Sequence, residues 1–165
     1  MADAYIGLGS NLGDKRGNLL GAIDKLREAV TFEHVSSLYA TEPVGFKQQD
    51  WFLNAVAKIQ CGQSPRDLLT ALLSVEEALG RVRTTRNAPR TIDLDVLLYG
   101  DLVLSQDGLV IPHPRMAERA FVLTPLAEIA PDLVHPLLRQ TMRELKEQIP
   151  APEEVRLLET DWFEA

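Results

Sequence analysis

At 165 residues, 45% hydrophobic and 25% charged, the chain is long enough to bury one core without cross-links and ordinary enough to form one globular domain. Its formal net charge of −7 argues against a general nucleic-acid binder and against attraction to anionic membranes. Cys61 is the single cysteine, which excludes an intramolecular disulfide, and no Cys/His group has zinc-ligand spacing. Met1-Ala2-Asp3-Ala4 lacks the basic region and apolar core of a signal peptide, and no apolar stretch reaches membrane-spanning length, so the cytoplasm is the expected compartment.

The first element is a short apolar strand over 4–9 that runs into the turn-rich Ser10-Asn11-Leu12-Gly13-Asp14. Leu19, Leu20, Ile23, Leu26 and Val30 then recur with helical period. Residues 35–41 read as a strand leading to the loop Glu42-Pro43-Val44-Gly45, and residues 52–60 as a second strand rich in Val, Ile and Ala. Ser64-Pro65-Arg66-Asp67 has the marks of a helix start, with Ser as N-cap, Pro at the first helical position and an acid in the first turn. The stripe Leu68, Leu69, Leu72, Val75 and Leu79 continues that helix to Gly80, with Glu76 on the border of the stripe. A strand over 92–98 follows, then a hairpin around Gln106-Asp107-Gly108. Thr124-Pro125 predicts the start of a short helix closed by Pro131, and Thr141-Met142-Arg143-Glu144 has the capping-box pattern. Residues 151–165 are acidic and weakly patterned. The order β-α-β-β-α-β over the first hundred residues predicts an α+β fold with a ferredoxin-like core, a mainly antiparallel sheet and C-terminal helices. That fold hosts many functions and licenses none by itself.

The chemistry is concentrated in Pro89-Arg90-Thr91-Ile92-Asp93-Leu94-Asp95-Val96. On a strand Asp93 and Asp95 share one face while Ile92, Leu94 and Val96 take the other, and the two aspartate Cα atoms stand about 6.6 Å apart. A bare Asp-x-Asp is usually no more than the acidic outer face of a strand. Here four arginines, Arg81, Arg83, Arg86 and Arg90, lie between Gly80 and Thr91 with no acid among them, a third of the chain's twelve. Guanidinium forks match phosphate oxygens, and paired carboxylates suit magnesium, which takes one or two of them and fills its other positions with phosphate and water. The combination points to a polyphosphate clamp of the kind used in two-metal phosphoryl transfer. His113 and Arg119 form a weaker basic group, and each alone reads as structural. There is no Gly-x4-Gly-Lys-Ser/Thr, and Gly7-x-Gly9 lacks the third glycine of a dinucleotide loop. Phe52 and Asn54 share a strand face and pair a stacking surface with an amide, a combination that fits either a flat heterocycle or an ordinary core edge.

Taken together, these motifs resemble the 6-hydroxymethyl-7,8-dihydropterin pyrophosphokinase family of folate biosynthesis. The resemblance runs from Tyr5-Ile6-Gly7-Leu8-Gly9-Ser10-Asn11-Leu12 through Ser37 to Pro43, Phe52-Leu53-Asn54-Ala55, Gly80 to Arg83, Ala88 to Asp95, Pro112-His113-Pro114 and Arg119-Ala120-Phe121, ending near Pro136. It implies a domain over 1–150 that moves the terminal pyrophosphate of ATP to the pterin hydroxymethyl oxygen and releases AMP, with 151–165 an acidic tail of unknown role. It further implies that Asp93 and Asp95 hold two Mg2+ ions, and that Arg81 and Arg90 stabilise charge on the transferred group. Arg83, Val96, His113 and Arg119 become ATP contacts, with Glu76 on the nucleotide side. Phe52 and Phe121 sandwich the pterin, and Thr41, Val44 and Asn54 line its pocket. The implied partners are the two small-molecule substrates, with no nucleic acid and no membrane, and a monomer is expected. Some members carry a Trp in the arginine loop, where this chain has Arg86-Asn87-Ala88.

Two other classes fit less well. A nucleotidyltransferase with strand-borne Asp-x-Asp needs Gly-Ser about ten residues upstream, whereas Gly9-Ser10 lies more than eighty residues before the acids. A ferredoxin-like RNA module needs a basic face and sheet aromatics, and neither is evident.

Overall fold

The computed structural model describes residues 1–43, 50–80, 91–150 and 153–163. Strand β1 (Ala2–Ser10) leads through a turn to helix α1 (Lys15–Leu26), which starts where the Asp14 carboxylate accepts the Gly17 N–H at 3.1 Å. Strands β2 (Thr31–Val35), β3 (Leu38–Thr41) and β4 (Phe52–Cys61) follow, then helix α2 (Pro65–Ala78) and strand β5 (Asp93–Tyr99). Ser64 caps α2 by accepting the Asp67 N–H at 3.1 Å, and Gly80, at φ +83°, ends it in the left-handed region that residues with a Cβ avoid. A small hairpin, β6 (Leu104–Gln106) and β7 (Leu109–Ile111), precedes a 3-10 turn at Met116–Glu118 and helices α3 (Ala120–Ile129) and α4 (Met142–Glu147). Strand β8 (Val155–Glu159) closes the described chain.

The main sheet has the order β5-β1-β4-β3-β8, with β2 also paired to β4, and every pairing in it is antiparallel. The six elements of the βαββαβ pattern therefore form the expected core, with its second strand split into β2 and β3. One face is covered by α1 and α2, whose Leu19, Ile23, Leu26, Leu68 and Leu72 pack on Ile6, Leu8, Ile59, Leu94 and Val96. On the other face Val122, Leu123 and Leu126 of α3 and Met142 and Leu145 of α4 pack with Tyr5, Val56 and Leu97. The result is three layers, helix, sheet and helix.

Three elements differ from the sequence expectation. The single strand predicted over 35–41 is broken at Ser36-Ser37. There the Ser36 hydroxyl accepts the Val56 N–H at 2.9 Å, and Glu128 takes the Ser37 N–H at 3.0 Å, so side chains replace the regular ladder. Helix α3 begins at Ala120 rather than at Thr124, and Pro125 lies inside it. Burial of Pro125 with Val122, Leu123 and Leu126 outweighs the one backbone hydrogen bond that proline cannot donate. Finally, residues 155–159 are a strand, and Trp162 beyond them is 4% exposed in the core.

Candidate active site

Strand alternation on β5 fixes the acidic pair. Ile92, Leu94 and Val96 are buried, while Asp93 and Asp95 are half-buried on the opposite side, the side of α3. Glu76, on α2, is 2% exposed, and its Oε2 accepts the Leu94 N–H at 2.8 Å. Because β5 is the edge of the sheet, this N–H has no neighbouring strand to meet, and the carboxylate takes that strand's place between the two aspartates.

Phe52, Asn54 and Gly9 meet across the sheet. Gly9 pairs with Asn54 on β4 and with Asp93 on β5, so it lies between the heterocycle candidate and the acid candidate. A Cβ on Gly9 would stand 2.6 Å from Asn54 Oδ1 and 3.6 Å from Phe52 Cδ1, so any larger residue there would displace the Asn54 amide. The Asn54 amide donates to Thr41 Oγ1 at 2.5 Å, linking β4 to β3. A cleft opens above them, lined by Thr41, Phe52, Asn54, Asp93, Arg119 and Phe121 from the sequence expectation, and by Glu42, Arg115, Glu118 and Glu153, which the sequence reading had not singled out. The Arg119 guanidinium lies 5.4 Å from the Phe121 ring centre, a cation–π contact that orients both at the cleft.

His113 is held by its own N–H to Leu97 O at 2.9 Å, and its Nδ1 accepts the Arg115 N–H at 3.2 Å. The remaining proton is therefore on Nε2. Burial, reinforced by the Arg119 charge and opposed by Asp93, lowers its pKa to about 4. His113 is thus a neutral donor at pH 7, close enough to Arg119 and Asp93 to feel both charges.

Of the remaining site residues, Val96 has its side chain in the core under α1 and α2, so only its backbone can serve a ligand. Arg81, Arg83, Arg90 and Val44 lie outside the described residues. The turn after β1, read from sequence only as a turn, and the first residues of α1 tie down the chain at Asp50-Trp51 and at Thr91. Asn18 Nδ2 donates to Thr91 O at 3.1 Å, Asn11 Nδ2 to Asp50 O at 3.1 Å, and Lys15 Nζ to Trp51 O at 2.9 Å. The burial of polar Ser10 and Asn11 within the first strand and turn is the trace this network leaves, and no pattern of residue types reveals it.

The donor set suits a hard dication: two carboxylates on one strand face, with oxygen as the ligating atom. No group of three or more His, Cys, Asp or Glu side chains with metal-binding geometry occurs among the described residues. Among those residues, no helix is long and apolar enough to cross a membrane.

Comparison with known proteins gives a consistent answer. The sequence profile described as 7,8-dihydro-6-hydroxymethylpterin-pyrophosphokinase (HPPK) matches residues 5–131. A 2-amino-4-hydroxy-6-hydroxymethyldihydropteridine pyrophosphokinase from Methylorubrum extorquens is 52% identical over 136 residues, covering 81% of this chain and 86% of that protein. The protein of the same name from Aquifex aeolicus is 41% identical over 146 residues, covering 88% and 91%. The folic acid synthesis protein FOL1 of Dictyostelium discoideum is also 41% identical over 146 residues, but the chain spans only 22% of its length. Among solved structures, Plasmodium falciparum HPPK-DHPS superposes with a TM-score of 0.73 over 89% of this chain and 44% of that one. At 15% identity that match speaks to the fold alone. With the profile spanning most of its length and two relatives of similar size aligned nearly end to end, the chain belongs to the 7,8-dihydro-6-hydroxymethylpterin-pyrophosphokinase family.

Proposed function

We propose that the protein transfers the terminal pyrophosphate of ATP to the hydroxymethyl group of 6-hydroxymethyl-7,8-dihydropterin, giving the pterin diphosphate and AMP, as a step of folate biosynthesis. The observation that carries this reading is the cleft that joins two aromatic rings and an amide to Asp93, in a chain of this family. Phe52 and Phe121 hold the flat ring between them, and Asn54 with Thr41 and Val44 satisfies its polar edge. Asp93 and Asp95 hold two Mg2+ ions. When bound, magnesium compensates the triphosphate charge and lowers the pKa of the attacking hydroxyl. Arg81 and Arg90 stabilise the charge that builds on the β-phosphoryl group, while Arg83, Arg119, His113 and the Val96 backbone hold the nucleotide. Neutral His113 does so as an Nε2–H donor, not as a cation. Glu76 keeps the nucleotide side in place through the Leu94 N–H.

In the reaction the hydroxymethyl oxygen bonds to the β-phosphorus as the bond from that phosphorus to the α,β-bridging oxygen breaks. The pterin oxygen loses its proton and AMP leaves. In-line displacement of this kind depends on placement and charge compensation, with no covalent protein intermediate. The enzyme acts as a monomer on two small-molecule substrates.

Calorimetric titration with a non-hydrolysable ATP analogue tests the metal assignment. Wild-type protein is expected to bind the analogue in a magnesium-dependent manner. Asp95→Ala is expected to lose that dependence and to lose turnover by about a thousandfold, with an unchanged melting temperature because Asp95 is only half-buried. Magnesium-dependent binding and near-wild-type turnover in Asp95→Ala would remove the assignment.

A further inference from the structure

Residues after 131 lie outside the family match, yet one of them, Glu153, lines the cleft. Strand β8 pairs with β3 in the register Thr41↔Val155, Ala40↔Arg156 and Tyr39↔Leu157. Thr41 is the residue whose hydroxyl accepts the Asn54 amide, so the ladder partner of a pterin-facing residue comes from this last strand. One residue on, the Glu42 N–H donates to Glu154 O at 3.0 Å and the Glu154 N–H donates to Glu42 Oε1 at 2.9 Å. The Arg156 guanidinium lies 4.9 Å over the ring of Trp51, the residue directly before Phe52. Glu153, just ahead of the strand, lines the cleft together with Thr41, Phe52, Asn54 and Phe121.

The far end of this segment is firmly held. Trp162 is buried and its indole N–H donates to Ser36 O at 2.8 Å, while Arg16 forms a two-pronged pair with Glu159 at 2.9 and 3.1 Å. β3 has only four residues and without β8 would be a frayed sheet edge. A strand anchored at 159–162 and ending at the cleft is built to transmit that anchorage to Thr41, Glu42 and Trp51.

We infer that β8 and the two residues preceding it are a positioning element for the pterin half of the site, with Glu153 supplying a carboxylate to the cleft wall. The inference rests on the reading of the cleft as a pterin site. An aminopyrimidinone edge presents N–H donors, and a carboxylate accepts two of them side by side. A strand that only stabilised the fold would influence both substrates alike. A strand that sets Thr41, Glu42 and Glu153 influences the heterocycle and spares the nucleotide, whose contacts lie on β5 and around His113.

The test uses the full chain with Glu153→Ala and, separately, Arg156→Ala, both at side chains that reach solvent. Pterin binding is read by fluorescence titration, binding of a non-hydrolysable ATP analogue with magnesium by calorimetry, and folding by thermal melting. Each variant is expected to weaken pterin binding roughly fivefold while leaving analogue binding and the melting temperature unchanged. Unchanged pterin binding in either variant, or equal weakening toward both ligands, would overturn the inference. A wild-type protein that binds the pterin but forms no AMP would fail the pyrophosphokinase reading and leave this inference to the titrations. A wild-type protein that binds no pterin would end both.

Discussion

His113 shows what a single side chain contributes and how its chemistry can be checked. Its folded pKa, about 4, lies below the ordinary value of 6.5 because burial and the Arg119 charge disfavour the imidazolium. Between those two values the unfolded chain binds more protons than the folded one, so stability falls as the pH drops through that window and is insensitive to His113 above it. Unliganded His113→Asn is therefore expected to show a shallower loss of unfolding free energy from pH 6.5 to 4 than wild type. Some slope remains, because burial also lowers the pKa of His135. Equal slopes would mean that His113 is already solvated and free to protonate. At this scale the sequence was informative about residue type and face: Phe52 and Asn54 line the cleft together, as their shared strand face predicts, and Asp93 of β5 lines it with them. It was silent on the packing of Gly9, where a Cβ would come within 2.6 Å of a side chain 45 residues away.

Glu76 acts through an element rather than by itself. It was read from the sequence as a residue on the rim of an apolar stripe and, by resemblance, as belonging to the nucleotide side. Its carboxylate holds the edge strand β5 at the peptide between the two aspartates. Removing that acceptor leaves a buried N–H unmatched, so Glu76→Ala is expected to cost about 1–3 kcal/mol in denaturant unfolding, and Glu76→Gln, which keeps a carbonyl, distinctly less. Equal stability of Glu76→Ala and wild type would show that β5 holds its place without this bond. The helix starts at Ser64 and Thr141 were legible because capping is local chemistry. The start of α3 was not, because its Pro125 looks like a first-turn residue and is tolerated inside the helix only by tertiary burial. The break between β2 and β3 was hidden for the same kind of reason, since it depends on Glu128 reaching Ser37 from 91 residues away.

In the whole molecule, three layers put the proposed pterin and nucleotide sides of the site on one side of one sheet. The heterocycle side is built on β3 and β4 with Phe121 from α3, and the acidic side on β5, joined at Gly9 on β1. Local periodicity reveals such an order only through its βαββαβ rhythm, and that rhythm was readable over the first hundred residues. The last strand was not, because its pattern, with exposed Leu157 and Leu158, carries no clean alternation and its partner lies more than a hundred residues earlier. The central claim concerns what this assembly does with ATP, and one product measurement addresses it most directly. Purified protein is incubated with ATP, magnesium and 6-hydroxymethyl-7,8-dihydropterin, and the nucleotides are resolved by chromatography. Pyrophosphoryl transfer predicts AMP formed in proportion to the pterin supplied, with no ADP. Release of ADP or of free pyrophosphate, or no nucleotide turnover by folded protein, would contradict the account.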